Sequence, residues 1–194
     1  MKRTFVPLLF MVLTLPAVAQ RGAITVPRNL AELTAQSATI LRGRIVSAHV
    51  EPMKDYSALS TVVVTLAVDE VLKGSAGQIY TFRQFIWDIR DRQDAAGYRK
   101  GQQMLLLLNP PTRLGLVSPA GLDQGRFRIR REGTRTVAVN GVDNYHLLQG
   151  VEPVLRQRGV QPSTRLATTL SRHQRGAISL DELQEVIRHI ARAQ

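Results

Sequence analysis

The first half of the chain is dominated by stretches in which apolar and polar residues alternate, which is the pattern of β-strands. The longest stretch, 60–72, is rich in β-branched residues, which suit a pleated and largely buried surface. Stretches at 37–50 and 78–86 alternate in the same way, and 102–108 is apolar on both faces. The pattern therefore predicts four consecutive strands.

Weaker signals of the same kind follow in the second half. Short strands are predicted at 114–117, 126–131 and 134–139, and the last two form a hairpin across a Glu-Gly pair. Polar stretches at 51–59 and 87–100 separate the stronger strands and are predicted to be loops.

Helices are predicted at both ends of the β-rich region. Residues 27–36 carry two leucines three positions apart, so both face one side of a short helix. Residues 179–193 carry an apolar stripe, with Ser179 as N-cap and Glu182 completing a capping box. Residues 151–177 are rich in Arg, Gln, Ser and Thr with weak periodicity, which indicates a basic linker.

The N-terminus has the three-part layout of a secretory signal peptide. Lys2 and Arg3 precede a short apolar run at 5–16, and an Ala-Val-Ala cleavage site follows. The run is too short to span a bilayer, which takes about 20 helical residues. We therefore expect an exported protein, periplasmic or extracellular, with no membrane span after cleavage.

These elements together predict a mainly β fold with terminal helices. About five to seven short strands in this order suit a five-stranded OB-like Greek-key barrel, flanked by a short N-terminal helix and a C-terminal helix. The predicted organisation is a signal peptide at 1–19, the barrel domain at 20–150, a basic linker at 151–177 and a C-terminal helix at 178–194.

Composition changes this picture in two ways. The chain of 194 residues has a formal net charge of +11, nearly all from arginine, which indicates a solvated basic surface or an acidic partner outside the cell. It contains no cysteine, which excludes disulfides, thiol catalysis and cysteine metal sites. Stability must therefore come from packing, and the hydrophobic share of 44% is enough for a core.

Three segments resemble the strands of TIMP-like, netrin-type modules, which have an OB fold. They are SATILRGRIV at 37–46, the segment 61–74 with its closing Lys-Gly turn, and GQQMLLL at 101–107. The chain also resembles uncharacterised exported bacterial proteins of this shape, in which a Gln-Gly-aromatic step follows, as QGRF does at 124–127. The resemblance covers 30–131.

The resemblance implies a proteinase-inhibitor or proteinase-partner domain as one function. TIMP proteins place an N-terminal cysteine on the catalytic zinc of a metalloproteinase. This chain has no cysteine, so that mechanism is not carried over.

Sequence motifs for catalysis are lacking. The chain has no H-E-x-x-H, G-x-S-x-G, S-x-x-K, P-loop or G-x-G-x-x-G sequence. Asp88, Asp91 and Asp94 alternate with arginines, which favours local ion pairing over calcium binding. We predict no enzymatic activity, no cofactor and no metal. A site assembled only in space stays open, and it requires His49 or His146 beside a carboxylate in a pocket.

The candidate binding residues are arginines on two predicted strands. Arg42 and Arg44 share one face of the first strand, and Arg126, Arg128 and Arg130 share one face of a later strand. If the two strands are neighbours, a basic strip crosses the barrel. Guanidinium groups bind carboxylates and phosphates through two parallel hydrogen bonds, so such a strip fits an acidic ligand.

Trp87, the single tryptophan, has two interpretations: a plug at the end of the barrel, which we favour, or a binding anchor. The leading hypothesis is an exported, non-enzymatic module that contacts a protein or an acidic polymer through barrel loops or the arginine strip. The alternative is the inhibitor-like or proteinase-partner domain, and a spatially assembled hydrolase comes third. Intracellular nucleic acid is excluded as a partner if the chain leaves the cytoplasm.

Overall fold

The computed structural model describes residues 25–192, so the predicted signal peptide at 1–19 lies outside the described residues. Seven strands and five helices are defined in this range. The strands are β1 (Thr39–Met53), β2 (Tyr56–Lys73), β3 (Ile79–Phe85), β4 (Gln103–Leu108), β5 (Arg126–Glu132), β6 (Arg135–Asn140) and β7 (Ile178–Ser179). The helices are α1 (Leu30–Gln36), α2 (Ile89–Gln93), α3 (Val151–Gln157), α4 (Thr164–Arg172) and α5 (Leu180–Arg192).

All seven strands belong to one antiparallel sheet in the order β3-β2-β1-β4-β5-β6-β7. The long strand β1 carries register shifts against β2, including one between Arg42 and Gly43, and such bulges bend a strand and increase its twist. The sheet is therefore curled into a half-barrel. The mainly β prediction is confirmed, but the sheet has seven strands rather than the five predicted.

A loop segment helps to hold the curl. The amide of Val117 donates to the carbonyl of Arg83 in β3 (2.8 Å), and the amide of Ala120 donates to the carbonyl of Leu107 in β4 (2.7 Å). The predicted strand at 114–117 is therefore wrong: this part of the chain forms isolated bridges that connect β3 to β4.

Each face of the sheet carries its own hydrophobic core. Ile40, Leu105 and Phe127 point to the face that helices α1, α3, α4 and α5 cover. Leu41 and Leu106, the next residues along their strands, point into the concave side of the half-barrel. Strand alternation explains the division, because successive residues of a strand face opposite sides. Strand β4 is thus buried on both faces, as its continuous apolar run predicts.

The predicted linker at 151–177 is wrong, because it contains helices α3 and α4. Val151 and Leu155 of α3, and Leu166 and Leu170 of α4, are buried in the helix-side core. Each helix has only two buried residues, spaced four apart. Two residues make an apolar stripe too short to be recognised as helical periodicity in the sequence.

The remaining differences from the predicted elements are small. Residues 51–59 form the tip of the β1–β2 hairpin instead of a loop, and 87–100 contains the short helix α2. The hairpin of β5 and β6, helix α1 and helix α5 are confirmed. Among the described helices, none is both long and apolar enough to cross a membrane.

Candidate functional site

The structure does not bring the five predicted arginines together. Strand β4 lies between β1 and β5, so the two arginine-bearing strands are not neighbours. Arg42 lies opposite Leu105, whereas Arg128 lies opposite Met104, the preceding residue of β4. Since adjacent residues of β4 face opposite sides, the arginines of β1 and β5 also face opposite sides. A continuous strip across the sheet is therefore ruled out.

Arg42 takes part in attaching helix α5 to the sheet, while Arg44 is exposed. The Arg42 Nη2 atom lies 3.6 Å from Oε2 of Glu70, and Glu70 also accepts hydrogen bonds from Arg188 (2.5 Å) and Gln184 (2.7 Å). Partial burial works to raise the pKa of Glu70, but the hydrogen bonds from Arg188 and Gln184 outweigh it and hold that pKa below its ordinary value. This cluster connects β2 to α5.

Arg126 is held inside the half-barrel. Its guanidinium pairs with Asp123 (Nη2–Oδ1 2.6 Å), donates to the carbonyl of Ala96 and lies 5.0 Å from the centre of the Tyr98 ring. Burial raises the pKa of Tyr98 to about 12, although Arg126 works to lower it. Arg126 is thus engaged with the loop at 95–98, and its side chain is only 13% exposed.

Trp87 and the neighbouring aspartates lie on a surface loop. The Trp87 side chain is 71% exposed and packs edge-to-face on Phe85, with ring centres 4.9 Å apart, so the barrel-plug interpretation is wrong. Asp88 caps α2 and pairs with Arg90, as local ion pairing predicts. Asp94 caps the short turn that follows. Within 25–192, no group of three histidines or carboxylates is arranged to hold a metal ion.

A cleft of about 460 Å³ lies at the β7 edge of the sheet. We call it the arginine cleft. One wall comes from the sheet side and the start of α5, and consists of Glu132, Arg135, Val137, Ala177, Ile178, Ser179 and Glu182. The other wall comes from α4 and the residue after it, and consists of Arg165, Thr168, Thr169, Arg172 and His173. Arg165 and Arg172 are seven residues apart, two turns of helix, and therefore face the same side of α4. That spacing was the one sequence signal for this site.

Two arginines of the cleft have no acidic partner. Arg165 pairs with Glu182 (2.6 Å), and Thr169 donates to the same carboxylate (3.1 Å). Among the described residues, no carboxylate lies within 4 Å of the Arg135 or Arg172 guanidinium groups. Both side chains are exposed, so the cleft presents uncompensated positive charge to solvent.

Two of the predicted arginines add basic side chains along β5, although Arg130 pairs with Glu132 (2.6 Å). Arg130 lies directly opposite Val137, which lines the cleft, and Arg128 lies opposite Val139. Opposed residues of paired strands share a face, so Arg128, Arg130 and Arg135 lie on one side of the sheet. We call the cleft together with Arg128 and Arg130 the arginine surface. It contains five arginines and two glutamates.

A second cavity, of about 570 Å³, lies between the loop 145–150 and the end of α4. This loop cavity brings His146, Glu152 and Ser171 together, which are the residue types of a spatially assembled hydrolase. Each is hydrogen-bonded elsewhere, however: His146 to Gln149, Glu152 to Arg156 (2.6 Å) and Ser171 to the carbonyl of Thr168 (3.1 Å). His49 lies outside both cavities, with its Nε2 atom 3.3 Å from Glu51.

No family model, curated protein or solved structure matches the chain. The TIMP-like, netrin-type resemblance therefore stays a prediction from short motifs. Because one fold hosts many functions, evidence for function comes from the geometry of the sites themselves.

Proposed function

We propose that this protein is an exported, non-enzymatic binding module that binds an acidic polymer on the arginine surface. The observation that carries the proposal is the pair of unpaired arginines, Arg135 and Arg172, on opposite walls of one cleft. Guanidinium groups form two-point hydrogen bonds to phosphate, sulfate or carboxylate groups, and these are stronger than neutral hydrogen bonds. The same proposal includes export of the protein by its predicted signal peptide and an OB-like character of the half-barrel.

The layout of the arginine surface favours a polymer over a small anion. Arg128 and Arg130 are two residues apart on a strand, which separates them by about 7 Å. Arg165 and Arg172 are two helical turns apart, or about 10 Å. A single small anion contacts only part of this surface, whereas a chain with repeated anionic groups contacts β5, β6 and α4 at once.

The alternative of a proteinase-partner domain has less support. Its predicted contact segment begins at Gln20, and the first residues of that segment lie outside the described range. No feature of the described residues favours it over binding through the arginine surface.

The test is retention on an immobilised sulfated polysaccharide as salt is raised. We expect the double variant Arg135→Ala/Arg172→Ala to elute at lower salt and to lose about tenfold in affinity at low salt, because two charge-assisted contacts are removed. Arg128→Ala/Arg130→Ala should shift elution in the same direction.

The matched control is Arg92→Ala/Arg113→Ala, which removes the same charge from exposed positions on α2 and on a loop, both outside the cleft. It should elute close to the unmodified protein. If the control and the cleft variant shift equally, retention reflects net charge alone and the arginine surface is not a binding site.

A further inference from the structure

The loop cavity differs in chemistry from the arginine cleft, although the two share one wall, His173. Its floor is apolar, formed by Leu148, Pro153 and Leu170. Its side is aromatic: the rings of Tyr145 and His146 meet edge-to-face with centres 3.9 Å apart. A volume of about 570 Å³ is within the range of small-molecule sites, and the lining suits a flat apolar ring.

The loop that forms this side has an unusual backbone. Asp143, Asn144 and His146 all have positive φ angles (58°, 53° and 57°), a left-handed region that is uncommon outside glycine and that Asp, Asn and His adopt more readily than other residues. Reciprocal hydrogen bonds hold the loop there: the amide of Asn140 donates to Oδ1 of Asn144 (2.9 Å), and the amide of Asn144 donates to Oδ1 of Asn140 (2.7 Å).

The Asn144 side chain also anchors the loop to distant parts of the chain. Its Nδ2 group donates to the carbonyls of Ala138 (2.9 Å) and Gly176 (2.8 Å). Backbone strain persists only where the surroundings over-determine it, and it concentrates at ligand sites. The loop therefore presents Tyr145 and His146 in a fixed arrangement before any ligand arrives.

Charge in the loop cavity favours a neutral ligand. Glu152 is the single Asp, Glu, Lys or Arg among its lining residues, and the ion pair with Arg156 (2.6 Å) already compensates that charge. Burial lowers the pKa of His173 below its ordinary value, against the opposing pull of Asp143 and Glu182. The neutral form of the imidazole is therefore favoured, and the cavity lacks the unpaired cations of the arginine cleft.

His173 has an unmet hydrogen bond. Its Nε2 atom is buried and has no hydrogen-bond partner among the described residues. A buried polar atom without a partner destabilises the protein, and a group that supplies the missing bond relieves that cost. A hydroxyl group suits either tautomer of the imidazole, because it both donates and accepts.

We propose that the loop cavity binds a small, neutral aromatic molecule that carries a hydroxyl group, with its ring on Leu148, Leu170 and Tyr145 and its hydroxyl bonded to His173. Because Nε2 is buried, this bond requires the imidazole, which lines the cavity, to turn toward the ligand. This site is independent of the acidic polymer and of the arginine surface, so either proposal survives the failure of the other.

The test is a titration of the full chain with 4-methylphenol, followed by NMR signals of the Leu148 and Leu170 methyl groups and the His173 ring. We expect saturable shifts with a dissociation constant of about 1 mM or tighter, as suits a ligand of this size. Toluene, which has the same ring without the hydroxyl, should bind at least about fivefold more weakly and leave the His173 signal nearly unmoved.

Variants on the cavity wall separate this site from binding elsewhere. Ser171→Phe places a ring in the cavity from an exposed position and should abolish the shifts, whereas Gln157→Phe, exposed on α3 and outside the cavity, should leave them unchanged. Tyr145→Ala, also at an exposed position, should weaken binding. It replaces Ser171→Phe as the test variant if Ser171→Phe unfolds the protein. Absence of saturable shifts below 10 mM, or equal binding of the two probes, overturns the proposal.

Discussion

Gly43 lies where the backbones of β1 and β2 approach each other too closely for a side chain. A Cβ atom at this position would collide with the carbonyl oxygen of Ala67, and it would lie 3.2 Å from the carbonyl carbon of Ala67 and from Cα of Val68. Both neighbours are backbone, which cannot move aside without displacing β2. The glycine inside a strand pattern, a signal of close backbone approach, is explained by this contact.

Gly43→Ala is therefore expected to destabilise the fold by about 2–3 kcal/mol, because the overpacking must be relieved by shifting β1 against β2. Urea unfolding at neutral pH measures the loss. Gly77→Ala is the control, since its Cβ would meet nothing closer than 3.8 Å, and it should change stability by less than about 0.5 kcal/mol. A Gly43 variant as stable as the control would show that the strands are not packed this tightly.

The arginines that alternate along the two predicted strands have different roles in the structure. Arg42 pairs with Glu70 and Arg126 is enclosed by Asp123 and Tyr98, so both contribute to the fold. Arg128 and Arg130 remain exposed beside the cleft. Strand alternation predicted which arginines share a face within one strand, but not which elements cover that face.

At the scale of elements, helix α5 is attached to the sheet through both an apolar stripe and a polar cluster. Leu183, Val186, Ile187 and Ile190 of α5 are buried in the helix-side core, and all but Val186 belong to the apolar stripe that the sequence predicts. The polar cluster joins Glu70 of β2 to three side chains, which no local pattern indicates. The two partners on α5 are separated from Glu70 by more than 100 residues.

Glu70→Gln is expected to lower the stability by about 1 kcal/mol at pH 7, since charge-assisted hydrogen bonds to Arg188 become neutral ones. The native pKa of Glu70 is held below its ordinary value of 4.5, so this stabilisation is fully present above pH 4.5 and is lost as the pH falls through the native pKa. The difference between the variant and the unmodified protein should therefore shrink below pH 4.5.

Urea unfolding at pH 7 and pH 3 checks this expectation. Glu185→Gln is the control on the exposed side of α5, where an ion pair contributes little, and it should leave stability nearly unchanged at both pH values. A Glu70 variant whose deficit is the same at pH 7 and pH 3 would contradict the role of the ionised carboxylate.

On the scale of the whole molecule, the helices and one face of the sheet share a core. Leu166 of α4 and Leu155 of α3 lie in the same cluster as Leu105 and Phe127 of the sheet. The segment 151–177, which the sequence predicts to be a linker, therefore contributes to the stability of the entire protein. It also forms one wall of each cavity.

Leu166→Ala is expected to destabilise the protein by about 2–4 kcal/mol, because it leaves a cavity in the shared core. The loss should appear in a single unfolding transition that β-sheet and helix signals report together. Leu114→Ala, at a position that is 44% exposed, should cost less than about 1 kcal/mol. Separate transitions for helix and sheet signals would mean that 151–177 is not part of the same cooperative unit.

The sequence by itself determined the local structure: six of the seven strands and the first and last helices. Alternation, helical spacing and backbone sterics act between residues near one another in the chain, so they can be read from it. Only the tertiary structure decided the strand order, the separation of the arginines onto two faces, the packing of α3 and α4 and the two cavities beside His173. These depend on contacts between residues far apart in the sequence. The register of β4 against β1 and β5, which no local pattern specifies, is what places the two sets of arginines on opposite faces.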